Sequence, residues 1–337
     1  MGIVSDRLGV SEVVEHSALR RPRLSSVLLQ SGGKNFDSIV TLPSNVQAVE
    51  SSLLFSTGRL PFVALVGPSG WGKSHLLQAA ATAFAVVERI PRPTVISAKE
   101  WMSASYNVDP SSPLIVDDAQ EALEQHKIRI QFRLALERRV RAGRPVMLAF
   151  SSPKPTRAMK SFLPAYHTAW VTATIEQPNA NDRQRVVAAM AKAEGLALGE
   201  SLVRILARKL PGDGRTFEGA LKRLRLAEAR WLDASATLRA LGVLNPYFAD
   251  QHNWDLRESI LDAIYRRCKT EWNRDLALYV MLHVALLPEA DVASFMEMEP
   301  GAAFSRAGRF RKLHEGSEDV RLQTRRCIES IVDGIGS

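Results

Sequence analysis

Gly67-Pro68-Ser69-Gly70-Trp71-Gly72-Lys73-Ser74 is a complete G-x-x-x-x-G-K-[ST] run, and its flanks give it meaning. The apolar stretch Phe62-Val63-Ala64-Leu65-Val66 precedes it, and a helix-compatible stretch from His75 to Phe84 follows. A strand thus delivers the chain to a glycine-rich turn whose backbone N–H groups point inward around phosphate oxygens. The helix after it adds the partial positive charge of its N-terminus. Lys73 is placed to reach the β- and γ-phosphates, and Ser74 to hold Mg²⁺ with its hydroxyl. The expected ligand of Gly67–Ser74 is a nucleoside tri- or diphosphate, ATP or ADP, with Mg²⁺.

The phosphate loop needs a carboxylate to complete the metal's shell and to orient a water. Leu114-Ile115-Val116-Asp117-Asp118, a hydrophobic strand ending in two acids, supplies it. Asp117 is the expected Mg²⁺ ligand, directly or through water, and Asp118 the group that polarises the attacking water. Two acids at a strand end can also cap a helix, since the chain turns helical from Ala119.

Around these segments α and β signals alternate. A helix is expected near 45–55, strands at 62–66, 94–97, 114–116, 146–150 and 171–175, and a long helix over 120–142. Strands separated by helices imply parallel βαβ units and a buried sheet. From Asp182 onward strand signals vanish. Helices are expected at 182–194, 199–209 and 215–232, with Pro211-Gly212-Asp213-Gly214 between the last two. A further helical block covers about 253–333. The expected division is a flexible arm at 1–34, a nucleotide-binding α/β unit at 35–178, a helical lid at 179–234, a linker at 235–252 and a helical C-terminal domain at 253–337.

Composition sets limits. The 337 residues are 46% hydrophobic and 24% charged, ordinary for a globular chain of two or three domains. No apolar stretch approaches the ~20 residues that span a bilayer, and residues 1–34 lack a signal-peptide core. The two cysteines, Cys268 and Cys327, lie far apart without metal-ligand spacing. The expected home is a reducing cytoplasm, in association with the nucleoid. Net charge is +8, yet residues 235–337 hold 13 Lys+Arg against 15 Asp+Glu, which is −2 and leaves +10 for residues 1–234. A basic body suggests a polyanionic partner such as nucleic acid, although the C-terminal block is not the basic part.

The spacing of these parts fits the AAA+ class of P-loop ATPases, and the chain resembles the DnaA bacterial replication-initiator family. Asn35-Phe36-Asp37-Ser38-Ile39-Val40 with Ser44-Asn45 is similar to the family's opening, which wraps the adenine. Ile39, Asn45 and the loop-following His75 thereby join the expected nucleotide contacts. Leu114–Gln120 resembles the family's Walker B segment, and Ser151-Ser152-Pro153-Lys154-Pro155 falls where it has a first sensor. Arg215-Thr216-Phe217-Glu218-Gly219-Ala220-Leu221 resembles its second sensor, with Arg215 forking onto the γ-phosphate. The likeness covers about 35–232 and continues weakly through 253–333. It implies an α/β parallel-sheet AAA+ domain with a helical lid, followed by an all-α, helix-turn-helix-like C-terminal domain.

Four departures narrow what the resemblance implies. Ser152 stands where the family carries an acid or amide that positions water. Phe162-Leu163-Pro164-Ala165-Tyr166-His167 has no arginine where the family places one that acts on a neighbour's ATP, so at most slow hydrolysis is expected. The link Trp101–Pro113 is too short for the initiators' helical insertion, which the shortened family members that regulate the initiator also lack. Some of those dock on the sliding clamp through an N-terminal peptide, of which residues 1–34 show no version. In the C-terminal block Ala302-Ala303-Phe304-Ser305 replaces the family's Asp-His-Thr-Thr run. Helices near 289–296 and 302–313 keep helix-turn-helix spacing, with Glu299-Pro300-Gly301 as the turn. Arg306, Arg309, Arg311 and Lys312, beside Arg266, Arg267, Lys269 and Arg274, remain as candidate phosphate or guanine contacts, or as a solvated helix face.

The resulting expectation is an ATP-switched protein associated with double-stranded DNA, acting in replication initiation or its regulation, with a nucleotide-dependent oligomer in reach. One alternative is an adaptor that binds the initiator, the helicase or the sliding clamp without reading DNA. Another is a working ATPase that loads a helicase.

Overall fold

The computed structural model describes residues 34–103, 112–250, 254–271 and 274–336. The expected arm up to residue 33 and most of the short link before the Walker B strand lie outside them.

A 3₁₀ turn at Phe36–Ser38 opens the described chain. The elements of the first half are α1 (Val46–Ser56), β1 (Phe62–Gly67), α2 (Lys73–Glu88), β2 (Val95–Ser97), α3 (Ala98–Ser103) and β3 (Leu114–Asp117). They continue with α4 (Glu121–Glu124), α5 (His126–Arg141), β4 (Val146–Ser151), α6 (Arg157–Phe162), α7 (Tyr166–Ala169) and β5 (Val171–Thr174). All pairings in this sheet are parallel, in the order β2-β3-β4-β1-β5. The strands are parallel because helices return the chain each time, and parallel strands are covered on both faces. Alternate residues show this directly. Val63, Leu65, Ile115, Met147 and Ala149 face α1 and α2, while Ala64, Val66, Val116, Leu148 and Phe150 face α3 to α6. At about 1.5–3 kcal/mol per fully buried large aliphatic or Phe side chain, these two layers are the main reason the sheet holds.

The long helix expected over 120–142 is two helices, broken where Gln125 takes an extended conformation (φ −108°, ψ 122°). The break lets α4 follow the Walker B strand while α5 turns to bury Phe132 and Leu136 against the sheet.

The second half contains α8 (Ala180–Ala193), β6 (Ala197–Leu198), α9 (Glu200–Lys209), α10 (Gly214–Ala227), β7 (Arg230–Trp231) and α11 (Ala234–Asp250). It ends with α12 (Trp254–Glu271), α13 (Arg274–Tyr279), a π-helical turn at Val280–Val284, α14 (Glu289–Phe295), α15 (Pro300–Gly316) and α16 (Glu318–Gly336). Strand signals therefore do not vanish after Asp182: β6 and β7 form a parallel two-stranded ladder, with the Gly199 N–H donating to Trp231 O at 2.7 Å.

The stretch expected as a linker is helical as far as Asp250, the last of its described residues. Leu238, Leu241 and Leu244 of α11 are buried in one cluster with Leu206, Phe217 and Leu221 of the lid and Ile264, Leu278 and Ile331 further along. Lid and C-terminal helices thus share a single core. Cys268 and Cys327 meet inside it as buried thiols, their sulfurs 3.7 Å apart although 59 residues separate them. Among the described residues no helix is long and apolar enough to cross a membrane.

Candidate functional site

The sheet order puts β4 between the phosphate-loop strand and the Walker B strand, so three strand ends converge at one edge. Gly67 at the end of β1 stands level with Ser151 at the end of β4. A Cβ on Gly67 would lie 2.7 Å from Ile175 O, so the turn needs a residue without one. Gly70 (φ +76°) and Gly72 (φ +94°) take the left-handed conformations that open the loop, and Gly72 caps α2.

Lys73, Ser74 and His75 form the first turn of α2. Lys73 is 4% exposed and its Nζ donates to Gly67 O at 3.0 Å and Pro68 O at 2.8 Å. Burial pushes its ammonium pKa down; the carboxylates of Asp117 and Asp118 pull it up, and Arg215 pushes it down again. These charges act on Lys73 together, although they come from β3, the turn after it and α10. Ser69 is exposed at the loop's tip, and Trp71 points away from it toward the lid.

Asp117 accepts from the Asp118 N–H at 3.0 Å. Asp118 itself sits at φ +49°, an uncommon conformation that Asp tolerates better than most residues. It is held there by Ser151 Oγ–H at 2.8 Å and Gln120 Nε2–H at 3.0 Å, both donating to Oδ1, while Gln120 Oε1 accepts from the Ser151 N–H at 2.8 Å. Two donors on one oxygen fix the carboxylate's direction. The hydroxyl tied to this ring is that of Ser151. Ser152, the expected first-sensor position, turns its hydroxyl to Lys154 O at 2.8 Å within its own loop. Side chains alternate along a strand, so the last β4 residue and its successor cannot both face the acids.

The opening segment docks on α2. His75 Nε2 lies 2.8 Å from Ser38 Oγ and 3.0 Å from Asn35 O, so the tautomer protonated at Nε2 can donate to both. Ile39 packs on the α1–α2 face of the sheet. Asn45 accepts from the Leu42 N–H and donates to Val40 O, which shapes the turn carrying Ile39. Burial lowers the His75 pKa below its ordinary 6.5, against a raising contribution from Asn35 O. A lowered folded-state pKa means the unfolded or undocked segment takes up a proton first. The docking contribution is therefore complete above pH about 6.5 and is lost as pH falls toward the lower docked pKa. Amide exchange at Ser38 and Ile39 is expected to quicken between pH 7 and 5.5 beyond its intrinsic pH dependence. A His75→Gln variant is expected to lack that extra change.

The lid reaches the same edge. Asp213 caps α10 by accepting from the Arg215 and Thr216 N–H groups. The Gly214 N–H donates to Gly70 O at 3.2 Å. A Cβ on Gly214 would lie 2.7 Å from Gly70 O, and one on Gly70 would lie 1.8 Å from Asp213 Oδ2. Arg215 is exposed at the second position of α10, near enough for its charge to act on Lys73. Asp213, Ser151 and Gln120 are not among the expected site residues, although Gln120 and Ser151 lie inside the Walker B-like and first-sensor-like segments. Only the parallel register of β1 with β4, and the docking of a segment some 140 residues downstream, bring them to the loop.

Of the candidate DNA contacts, several are engaged within the chain. Arg306 is paired with Asp275 at 2.6 Å, Arg266 with Asp262 at 2.7 Å and Arg311 with Glu315 at 2.9 Å. Arg274 donates to Met296 O. Arg267, Arg309 and Lys312 are exposed, and the Lys269 side chain lies outside the described ones. The α14–turn–α15 unit keeps helix-turn-helix order, with Pro300 at the first position of α15.

No protein-family model matches the chain. By sequence it is similar to the chromosomal replication initiator protein DnaA of Bordetella pertussis (strain Tohama I), 24% identical over 181 residues, 50% of this chain and 38% of the relative. Against DnaA of Bordetella petrii the identity is 24% over 215 residues, 58% of this chain and 44% of the relative. The chain thus spans less than half the length of these curated relatives. By structure it is similar to domain III of the Thermotoga maritima replication initiation protein DnaA, with TM-score 0.50, 18% identity, and 58% of this chain and 88% of that one covered. A replication initiator DnaA bound to AMPPCP and single-stranded DNA gives TM-score 0.51 at 15% identity, covering 88% of this chain and 98% of that one.

Proposed function

We propose that this chain, a divergent DnaA-like AAA+ protein, is an ATP-dependent switch that associates with DNA in the initiation of replication or its control. The observation that carries this reading is the double engagement of the phosphate loop. Its Lys73 feels Asp117 and Asp118 on one side, and its Gly70 is bonded to the first turn of the lid on the other. Bound ATP would bring a triphosphate and, with Mg²⁺, the charge that this cradle lacks. Ser74 and Asp117 are the groups suited to the metal. Lys73 and Arg215 would meet the β- and γ-phosphates, and Asp118, aimed by Ser151 and Gln120, would polarise a water. The relatives support a DNA partner, since one structural neighbour is described as bound to an ATP analogue and single-stranded DNA.

Hydrolysis is proposed to be slow, because Phe162–His167 offers no arginine to a neighbour's γ-phosphate. An arginine supplied in trans is worth about 10³–10⁵ in rate. The adaptor reading draws on a specific observation: Arg306, Arg266 and Arg311 are each paired with an acid, which leaves less free positive charge for phosphates.

Fluorescence anisotropy against a duplex carrying the initiator family's recognition box, a scrambled duplex and a single strand, each with ATP and ADP, separates the readings. Binding that strengthens at least several-fold with ATP is the expected result. No binding to any of the three at physiological salt would retire the DNA-associated switch in favour of the adaptor.

A further inference from the structure

Trp71 is the one described hydrophobic side chain that packs both on the sheet's α1–α2 core and on the core shared by lid and C-terminal helices. It stands between Gly70 and Gly72, so any rearrangement of the phosphate cradle moves its indole. The ring meets Phe217 of α10 edge-on, with centroids 6.2 Å apart and planes at 69°. Arg183 of α8 completes the contact: its Cζ lies 4.8 Å from the Phe217 centroid and 5.9 Å from that of Trp71.

The guanidinium is fixed from behind by three carbonyls. Nε donates to Ala207 O at 2.8 Å, Nη2 to Leu210 O and Nη1 to Gly212 O at 3.5 Å. These are the last carbonyls of α9 and the turn into α10, which carry the negative end of the α9 dipole. One side chain therefore joins α8, the end of α9, the start of α10 and the phosphate loop. Beside it runs the backbone contact from the Gly214 N–H to Gly70 O. Beyond it the lid is tied to the far C-terminus, where Arg208 donates to Gly336 O at 2.9 Å and Arg204 pairs with Asp333 at 3.4 Å.

The geometry points to Trp71 and Arg183 as positioning residues that convert occupancy of the phosphate loop into the orientation of the lid and of the C-terminal helices fused to it. This rests on the reading of Gly67–Ser74 as a nucleotide site. Both side chains act through Gly70, Phe217 and the α9–α10 turn, and the core shared by lid and C-terminal helices carries the movement onward.

The test is amide exchange of the full chain with and without ATP, read at Gly214–Ala227 and at Glu318–Gly336, alongside binding of a fluorescent ATP analogue. The wild type is expected to bind the analogue and to slow exchange in both segments. Trp71→Leu removes the π face and keeps an apolar side chain; Arg183→Lys keeps the charge and removes the planar stack. Arg183→Lys, outside the loop, is expected to bind the analogue near wild-type strength while the ATP-dependent slowing shrinks about 3- to 30-fold, the range for loss of a partly buried cation–π contact; Trp71→Leu is compared at saturating analogue, where the slowing should shrink to the same extent. The double variant should lose little more than either single one, as a coupled pair does. Trp71→Phe, which keeps a ring, is expected to retain most of the slowing, and so separates loss of coupling from loss of folding.

ATP-dependent slowing that survives undiminished in both Trp71→Leu and Arg183→Lys would overturn the proposal while leaving the nucleotide site standing. A wild-type chain that binds no analogue would remove the nucleotide reading, and this one with it.

Discussion

Lys73→Ala is expected to weaken ATP binding by about 100-fold, the scale of losing one or two charge-assisted hydrogen bonds at about 1.5–3 kcal/mol each. The ammonium is buried at 4% exposure and already directed inward, with Asp117 and Asp118 acting on it. A charge held this way costs little further ordering when phosphate oxygens arrive. The variant loses more than the charge, since Gly67 O and Pro68 O give up their donor and the loop loosens. Lys73→Met, which keeps the stem, is expected to bind as weakly as Lys73→Ala, because the stem supplies no donor. Thermal unfolding provides the readout: ATP at 100 times the wild-type Kd should stabilise the wild type by about 2.7 kcal/mol and the variants by only a few tenths. Equal ligand-induced shifts in all three proteins would mean that the nucleotide, if bound, lies elsewhere than Gly67–Ser74.

Much of this architecture was legible before any coordinates, for a physical reason. Buried parallel strands are continuous apolar runs, and Phe62–Val66, Leu114–Val116 and Val146–Phe150 are such runs between helical patterns. What sequence reading missed had a weaker local imprint. Each strand of the β6–β7 ladder is only two residues long and carries no periodicity, and tertiary contact alone makes it a ladder. The stretch expected as a linker contains Gly242 and Pro246, yet Ala234–Asp250 is helical because Leu238, Leu241 and Leu244 have a core to enter. At the candidate site the contiguous motif was visible, whereas partners supplied by other strands were not. Ser151 rather than its neighbour Ser152 meets Asp118, and that choice depends on the β1–β4 register. Asp213 and Arg183 reach the loop through docking of the lid, which no spacing along the chain encodes.

Gly242 also sets up an opposition between helix propensity and packing. An alanine Cβ at this position of α11 would lie 1.5 Å from Ala285 O and 2.7 Å from Ala285 C. That oxygen cannot retreat cheaply, because it sits just past the π-helical turn, where the Ala285 N–H donates to Val280 O at 2.8 Å and the Leu287 N–H to Met281 O at 3.0 Å. Leu241 and Leu244 on either side are fully buried, so α11 cannot slide outward without opening the shared core. Overpacking of this kind costs about 3 kcal/mol or more, against the ~1 kcal/mol that replacing an interior helical glycine by alanine returns. Gly242→Ala is thus expected to lose about 2 kcal/mol or more and to lower Tm by roughly 3 °C or more. Gly308→Ala is the matched control: it lies within α15, where a Cβ would meet nothing within 4 Å. There the same substitution is expected to stabilise by up to about 1 kcal/mol, so the two melting temperatures should move in opposite directions. Shifts of the same sign and size would show that helix propensity, and not the approach of α11 to Ala285, decides the outcome at Gly242.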